Sequence, residues 1–127
     1  MKKAISIPNA PSPVGPYSQA ILAGNTLYVS GQIPLDPKTG ELVNDTISSS
    51  THQVMENIAS LLNAAEMSFK DVVKCSIFLK SMDDFELVNK VYASFFQDVP
   101  PARETVQVAR LPLDVNVEIS CIAIKEQ

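Results

Sequence analysis

Arg103 and Glu118 are the two charged residues whose setting most invites chemistry. Each stands near the start of an alternating apolar run close to the C-terminus, out of phase with Val106, Val108, Val117, Ile119 and Cys121. If the two runs pair as strands, a guanidinium and a carboxylate share one half-buried face. Arginine offers a planar fork that grips a carboxylate through two parallel hydrogen bonds. A glutamate in a partly dry pocket has its pKa raised towards the range where it shuttles protons near neutrality. An ordinary cross-strand salt bridge would use the same two residues, and spacing alone leaves both readings open. Asn89 flanks the Phe85/Tyr92/Phe96 side of a helical run, where it is either a buried amide in need of a partner or a solvent-facing one. Tyr17 and Ser30 are likewise either plain strand polar groups or hydroxyls that orient a ligand.

Other chemistries are poorly served. Gly15, Gly24, Gly31 and Gly40 are scattered, with neither a phosphate-cradling loop nor a dinucleotide fingerprint. The single histidine, His52, excludes histidine-rich metal sites and a two-histidine ribonuclease mechanism. It lies opposite the apolar stripe of its helix and reads as a solvated surface group. Cys75 and Cys121 lack metal-ligand spacing and sit inside apolar runs, as reduced core thiols do. No metal site is expected from these residues. A net charge of −4 argues against nucleic-acid and anionic-membrane partners, which need clustered Lys and Arg. A small anion is compatible with that charge if one arginine is held in a dry pocket. The apolar stretch after Lys2 and Lys3 breaks at Pro8 and Asn9, short of a secretory signal, and no run spans a membrane, so a cytoplasmic protein is expected.

The elements that must position these residues follow from periodicity and turn chemistry. The 127 residues fit one domain, 1–127. Pro8, Pro11, Pro13 and Pro16 form an extended arm. Strands are predicted over 17–23 and 26–30, joined by a tight turn at Gly24-Asn25, with a second turn over 36–40. A capping box of Ser50 and Gln53 opens a helix whose stripe is Val54, Ile58, Leu61, Leu62 and Ala65. Residues 72–80 form a strand with Val73, Cys75, Ile77 and Leu79 on one side. Asp83 and Glu86 open a second helix, with Phe85, Val88, Tyr92, Phe95 and Phe96 as its stripe. Segments 103–109 and 116–125 close the chain as a strand pair. The class is α+β: a mixed sheet in the order ββ-α-β-α-ββ, with two helices on one face. The other face would carry Tyr28, Ser30, Arg103, Thr105, Gln107, Glu118, Ser120, Ile122 and Ile124. That mixture is too apolar for water and too polar for a monomer's core, so it implies packing against other subunits with pockets between them.

Several separated blocks, in order, carry a resemblance. They are Gly15-Pro16-Tyr17-Ser18-Gln19-Ala20, Leu27-Tyr28-Val29-Ser30-Gly31-Gln32-Ile33-Pro34, Pro101-Ala102-Arg103, Val108-Ala109-Arg110-Leu111-Pro112 and Val117-Glu118-Ile119. The chain resembles the RidA family (YjgF/YER057c/UK114) from the proline arm to the last strand. The resemblance implies a chorismate-mutase-like fold, a homotrimer and three ligand clefts at subunit interfaces. It implies cofactor-independent 2-iminobutanoate/2-iminopropanoate deaminase activity on the products of pyridoxal-phosphate dehydratases. By that analogy Arg103 holds the substrate carboxylate, Glu118 orients the attacking water, and Tyr17, Ser30, Gly31, Asn89 and Thr105 line the cleft. Thr105 stands where several members have cysteine; hydrolysis by water needs no sulfur nucleophile, so deamination is compatible with the change. Three rival functions are a carboxylate-binding regulatory trimer without turnover, an endoribonuclease (a label the family has carried) and a holdase chaperone. Acidity, one surface-like histidine and the lack of a basic-aromatic stripe oppose the ribonuclease.

Overall fold

Alternation of buried and exposed side chains runs through the strand segments, and six of them join in one mixed sheet. The computed structural model describes residues 1–8, 10 and 13–126; Pro11 of the proline arm and Asn9, where the first apolar stretch was read to break, lie outside the described residues. Strands β1 (Lys2–Ile5), β2 (Ala20–Ala23) and β3 (Thr26–Gln32) precede helix α1 (Ile47–Ala64). Then come β4 (Val72–Leu79), α2 (Phe85–Ala93), β5 (Ala102–Gln107) and β6 (Val117–Ile124). The order ββ-α-β-α-ββ is present, with β1 added in front of it. Across the sheet the strands lie β1-β2-β3-β6-β4-β5, and only β4 and β5 run parallel.

The closing strands therefore do not pair. β4 lies between β5 and β6, because α2 returns the chain to β4's free edge as a parallel crossover while β6 inserts antiparallel to both β3 and β4. One face of the sheet is built from register partners such as Leu27 with Ala123, Val29 with Cys121, and Cys75 with Cys121. These are buried together with Val54, Ile58, Leu61 and Leu62 of α1 and Val88 and Tyr92 of α2, so both helices cover this face. Cys75 and Cys121 are free thiols in that core. His52 is exposed and faces Glu56 one turn on.

Two local details depart from the periodicity. Helix α1 begins one turn before Ser50: the Thr46 side chain accepts from the Ser49 amide at 3.0 Å, and the Ser50 hydroxyl instead donates to the Val43 carbonyl at 2.7 Å. In β4, Val72 pairs with Ala123 but Lys74 pairs with Ile122, a bulge of one extra residue. It leaves Val72 buried and turns Val73 outward, 44 % exposed, so Val73 is not on the side of Cys75, Ile77 and Leu79. The second helix starts at Phe85, after a short 3-10 turn over Met82–Asp84 in which the Ser81 side chain accepts from the Asp83 amide. Gly24, at φ +62, closes the β2–β3 hairpin in the left-handed region, which other residues enter at a cost. Among the described residues no helix is long and apolar enough to cross a membrane.

Candidate active site

Helix α2 presents Phe85, Asn89 and Tyr92 on one face, at spacings of four and three residues. That face forms a cradle for Arg103 of β5. The Arg103 Nη1 donates to Asn89 Oδ1 at 2.6 Å. Its guanidinium carbon lies 5.7 Å from the Phe85 ring centroid and 5.2 Å from that of Tyr92. Two ring faces and one charge-assisted hydrogen bond fix the plane of the fork and leave its other N–H groups free to take a carboxylate. The guanidinium opens on a cavity of about 420 Å³ whose walls include Tyr92, Ala93, Phe96, Asp98 and Pro101.

Cys75 is Arg103's register partner, so both point to the helix side of the sheet. Burial pushes the Cys75 thiol up, an effect opposed by the Tyr92 hydroxyl and the Arg103 charge. It is therefore a neutral thiol and not an activated nucleophile. Thr105, paired with Ile77, shares the face, and its Oγ1 is buried without a hydrogen-bond partner among the described residues. The Tyr92 hydroxyl is buried beside the Cys75 thiol, and burial lifts its pKa far above the usual phenol range.

Glu118 lies elsewhere. It pairs with Phe78 and alternates with buried Val117 and Ile119, which places it on the sheet face that no helix covers. Arg103 and Glu118 thus occupy opposite faces, and neither the shared face nor the cross-strand salt bridge holds. The phase error came from β5, whose valine was taken as core. Val106 is 42 % exposed on the open face, while Arg103, Thr105 and Gln107 belong to the helix side. A short edge strand with one face against a polar cradle inverts the usual inside-apolar rule.

A second polar pocket forms around Glu118. Between Val29 and Gln32 the β3–β6 register slips by one residue, so Ser30 and Gly31 sit in a bulge. The Glu118 carboxylate fills the space beside Gly31 where a Cβ would stand. Half-burial pushes its pKa up. Tyr17, Gly31, Ile33 and Asn57 border a neighbouring cavity of about 100 Å³. Ser30 holds this corner together: its amide donates to the Gln19 carbonyl at 2.9 Å and its hydroxyl to the Ser18 carbonyl at 2.7 Å, which docks the segment carrying Tyr17. Asn57 braces the other side, donating from Nδ2 to the carbonyls of Ile33 and Leu35 at 3.2 and 2.8 Å.

The candidate residues therefore fall into two sets. Arg103, Asn89 and Thr105 gather on the helix side; Tyr17, Gly31 and Glu118 gather with Ser30 around the bulge. Sequence reasoning placed Phe85 and Tyr92 in the core stripe and missed their role over the guanidinium. It passed over Asn57, although a lone amide on the buried face of α1 was a usable signal. Asp98 carried none.

The residues of the open face remain partly apolar. Tyr28 and Ile124 are exposed, and Phe78 and Ile122 are half-buried beside Ser76, Ser120 and the Lys74–Glu104 ion pair at 3.0 Å. The Ser76 hydroxyl and then Lys74 hold the Glu104 carboxyl below its usual range, an arrangement on the face of β5 opposite Arg103.

The profile of the family described as Endoribonuclease L-PSP matches residues 7–125. A RutC family protein of Pyrococcus horikoshii is 55 % identical over 126 residues, covering 99 % of this chain and 100 % of its own length. The 2-iminobutanoate/2-iminopropanoate deaminase of Salmonella typhimurium is 43 % identical over 128 residues, covering 98 % and 99 %. The crystal structure of Escherichia coli TdcF with bound serine matches with a TM-score of 0.91 at 39 % identity, covering 98 % of this chain and 99 % of that one.

Proposed function

The chain belongs to the Endoribonuclease L-PSP family, also called RidA/YjgF, which includes reactive-intermediate deaminases, and on that footing we propose that it hydrolyses 2-imino acids such as 2-iminobutanoate and 2-iminopropanoate to 2-oxo acids and ammonia. The observation that carries this reading is the Arg103 fork, clamped by Asn89, Phe85 and Tyr92 and open to a cavity. A half-buried, pre-oriented guanidinium is suited to an α-carboxylate, and TdcF, of the same fold, is known with serine bound.

The second set supplies the proton chemistry. Successive side chains of a strand point to opposite faces, so one small acid cannot reach Arg103 and Glu118 of the same chain. In our reading a homotrimer closes the gap: the open face packs against a neighbour and brings the Glu118, Gly31 and Tyr17 of one subunit to the Arg103, Asn89 and Thr105 of the next. The half-apolar open face supports such packing. Arg103 takes the carboxylate and fixes the imine carbon. Glu118, its carboxyl raised by burial, accepts a proton from a water as that water adds to the carbon. The proton passes to nitrogen, the resulting carbinolamine collapses, and ammonia leaves as the C=O bond forms. Net, the imino acid and one water become the oxo acid and ammonia. Orientation together with a positioned acid–base group is worth on the order of 10²-fold or more here, enough for an imine that already hydrolyses in water.

RNA cleavage is disfavoured by the net charge of −4 and by an exposed His52 engaged with Glu56. The deciding experiment adds the protein to iminobutanoate generated in situ and follows loss of imine with release of 2-oxobutanoate. Acceleration supports the enzyme; binding of 2-oxobutanoate without acceleration makes the protein a carboxylate-binding module.

A further inference from the structure

Among the described residues three polar side chains are buried, Ser50, Thr51 and Asn57, and all lie on α1. A buried hydroxyl or amide is costly unless its hydrogen bonds are made, so the partners these groups choose are informative. Thr51 returns its hydroxyl to the Ile47 carbonyl of its own helix, at 2.8 Å. Ser50 and Asn57 stand two turns apart on one helix face and instead reach the 33–43 segment. Ser50 donates to the Val43 carbonyl, and Asn57 Nδ2 donates to the carbonyls of Ile33 and Leu35. The segment closes on itself through the Leu35–Leu42 bridge and a 2.7 Å bond from the Val43 amide to the Pro34 carbonyl. The Asn57 amide has a fixed sense. Gln53 Nε2 donates to its Oδ1 at 2.9 Å, which turns Nδ2 towards the two carbonyls.

The point of attachment lies next to the acid. Ile33 is the first residue beyond β3 and follows Gly31 by two positions, and the Glu118 carboxylate lies against the Gly31 backbone. Gly31, Ile33, Leu35 and Asn57 border the same small cavity. We propose that Asn57, oriented by Gln53, is a positioning residue for Glu118: it pins the chain where β3 leaves the sheet and so keeps the Gly31 backbone seated against the carboxylate. The proposal rests on the deaminase reading for the reaction that Glu118 serves, while the seating of Glu118 is measurable without it. When the two bonds from Nδ2 are lost, the 33–35 segment lifts, water reaches the carboxylate from the Gly31 side, and the acid leaves its working position. A misplacement of about 1 Å in a reacting group costs on the order of 10²-fold in rate.

The test uses the whole assembled protein and compares wild type with Asn57→Ala, Asn57→Asp, Gln53→Leu and, as a control for lost packing in the same helix, Leu61→Ala. Asn57→Asp keeps the side chain's shape and has no donor for the two carbonyls. One readout is the titration midpoint of the Glu118 carboxyl by carbon NMR, assigned by its absence in Glu118→Gln. The other is kcat and KM for iminobutanoate generated in situ. Burial raises the Glu118 pKa, so its midpoint reports how closely the Gly31 backbone covers it. In both Asn57 variants the midpoint should fall towards the ordinary carboxylate range. Their kcat should drop by about tenfold to a hundredfold with KM within about threefold, because the Arg103 anchor is untouched. Gln53→Leu should lie between these and wild type, and it decides the matter if neither Asn57 variant folds. Leu61→Ala should melt at a lower temperature with the Glu118 midpoint and kcat of wild type. A midpoint and kcat unmoved in Asn57→Asp, or moved equally in Leu61→Ala, would overturn the positioning role. A midpoint that falls in the Asn57 variants of a protein without imine turnover would uphold the seating of Glu118 and sink the deaminase reading alone.

Discussion

The carboxylate of Glu118 lies in the volume that a Cβ on Gly31 would occupy. The two residues come from neighbouring strands, and the bulge after Val29 brings the Gly31 backbone under the acid. Glycine is needed there for space: Gly31 is not among the glycines of positive φ. Gly31→Ala should therefore keep the fold and displace Glu118 from its working position. Imine turnover should fall by on the order of 10²-fold, the loss expected when a positioned acid–base group moves. Thermal unfolding should shift by only a few degrees, as for a contact outside the core. Unchanged turnover would mean that Glu118 acts from some other position.

Glu118 also sets a pH dependence. Burial raises its pKa, so the folded chain binds this proton more tightly than the unfolded chain does. The penalty is absent below the ordinary carboxylate range and grows as pH rises through the raised folded value. Stability should therefore decline across that window, and Glu118→Gln should flatten the decline in denaturant titrations at several pH values. In the proposed mechanism the same group should give kcat/KM an acid limb displaced above the usual carboxylate range. Glu118→Gln should abolish the limb, with 2-oxobutanoate affinity by calorimetry kept within a few-fold. An acid limb that survives the substitution would assign the proton chemistry to another group.

The legible parts of this molecule were those where period and burial agree. The stripe of α1, the Gly24-Asn25 hairpin and the alternation of β6 are each set by local spacing, and each is present. Capping at Thr46 and the bulge at Val73 were not legible, because either of two nearby residues fits the local rule and tertiary contacts choose between them. The larger miss was the face of Arg103. A six-residue edge strand with one valine in phase reads as core on that side, yet its phase is set by pairing with β4 and by the cradle on α2, both distant in sequence. The candidate residues could be named by type and order; that they fall into two separate sets depends on strand order, which local patterning does not encode.

Tyr92 performs two tasks that substitution separates. Its ring covers the Arg103 guanidinium, and its hydroxyl is buried beside the Cys75 thiol. Tyr92→Phe keeps the ring and removes only the hydroxyl beside Cys75, a contact worth at most about 0.5–1.5 kcal/mol. It should bind 2-oxobutanoate as wild type does, with stability to urea within about 1.5 kcal/mol of wild type. Tyr92→Leu removes the ring, worth about 0.5–2 kcal/mol as a cation–π contact, and should weaken binding by roughly two- to thirtyfold. Equal affinity in the two variants would show that the ring does not hold Arg103 in place.

The arrangement of two sets on opposite faces makes its sharpest prediction about mixtures. Under the proposed shared cleft, Arg103→Ala and Glu118→Gln should each be nearly inactive as pure proteins, since every cleft then lacks either the proposed carboxylate anchor or the proposed acid–base group. Light scattering should show each at about three times the 13.8 kDa chain mass. When the two are unfolded together, mixed in equal amounts and refolded, subunits assort at random. A cleft is intact when the subunit giving its Arg103 side is the Glu118→Gln chain and the neighbour giving its Glu118 side is the Arg103→Ala chain. Each condition holds for half of the subunits, so about one quarter of the clefts regain both groups and turnover should return to about a quarter of wild type. Mixing without unfolding should restore nothing until subunits exchange. If both groups acted within one chain, no mixture would recover activity, and the shared cleft would have to be abandoned.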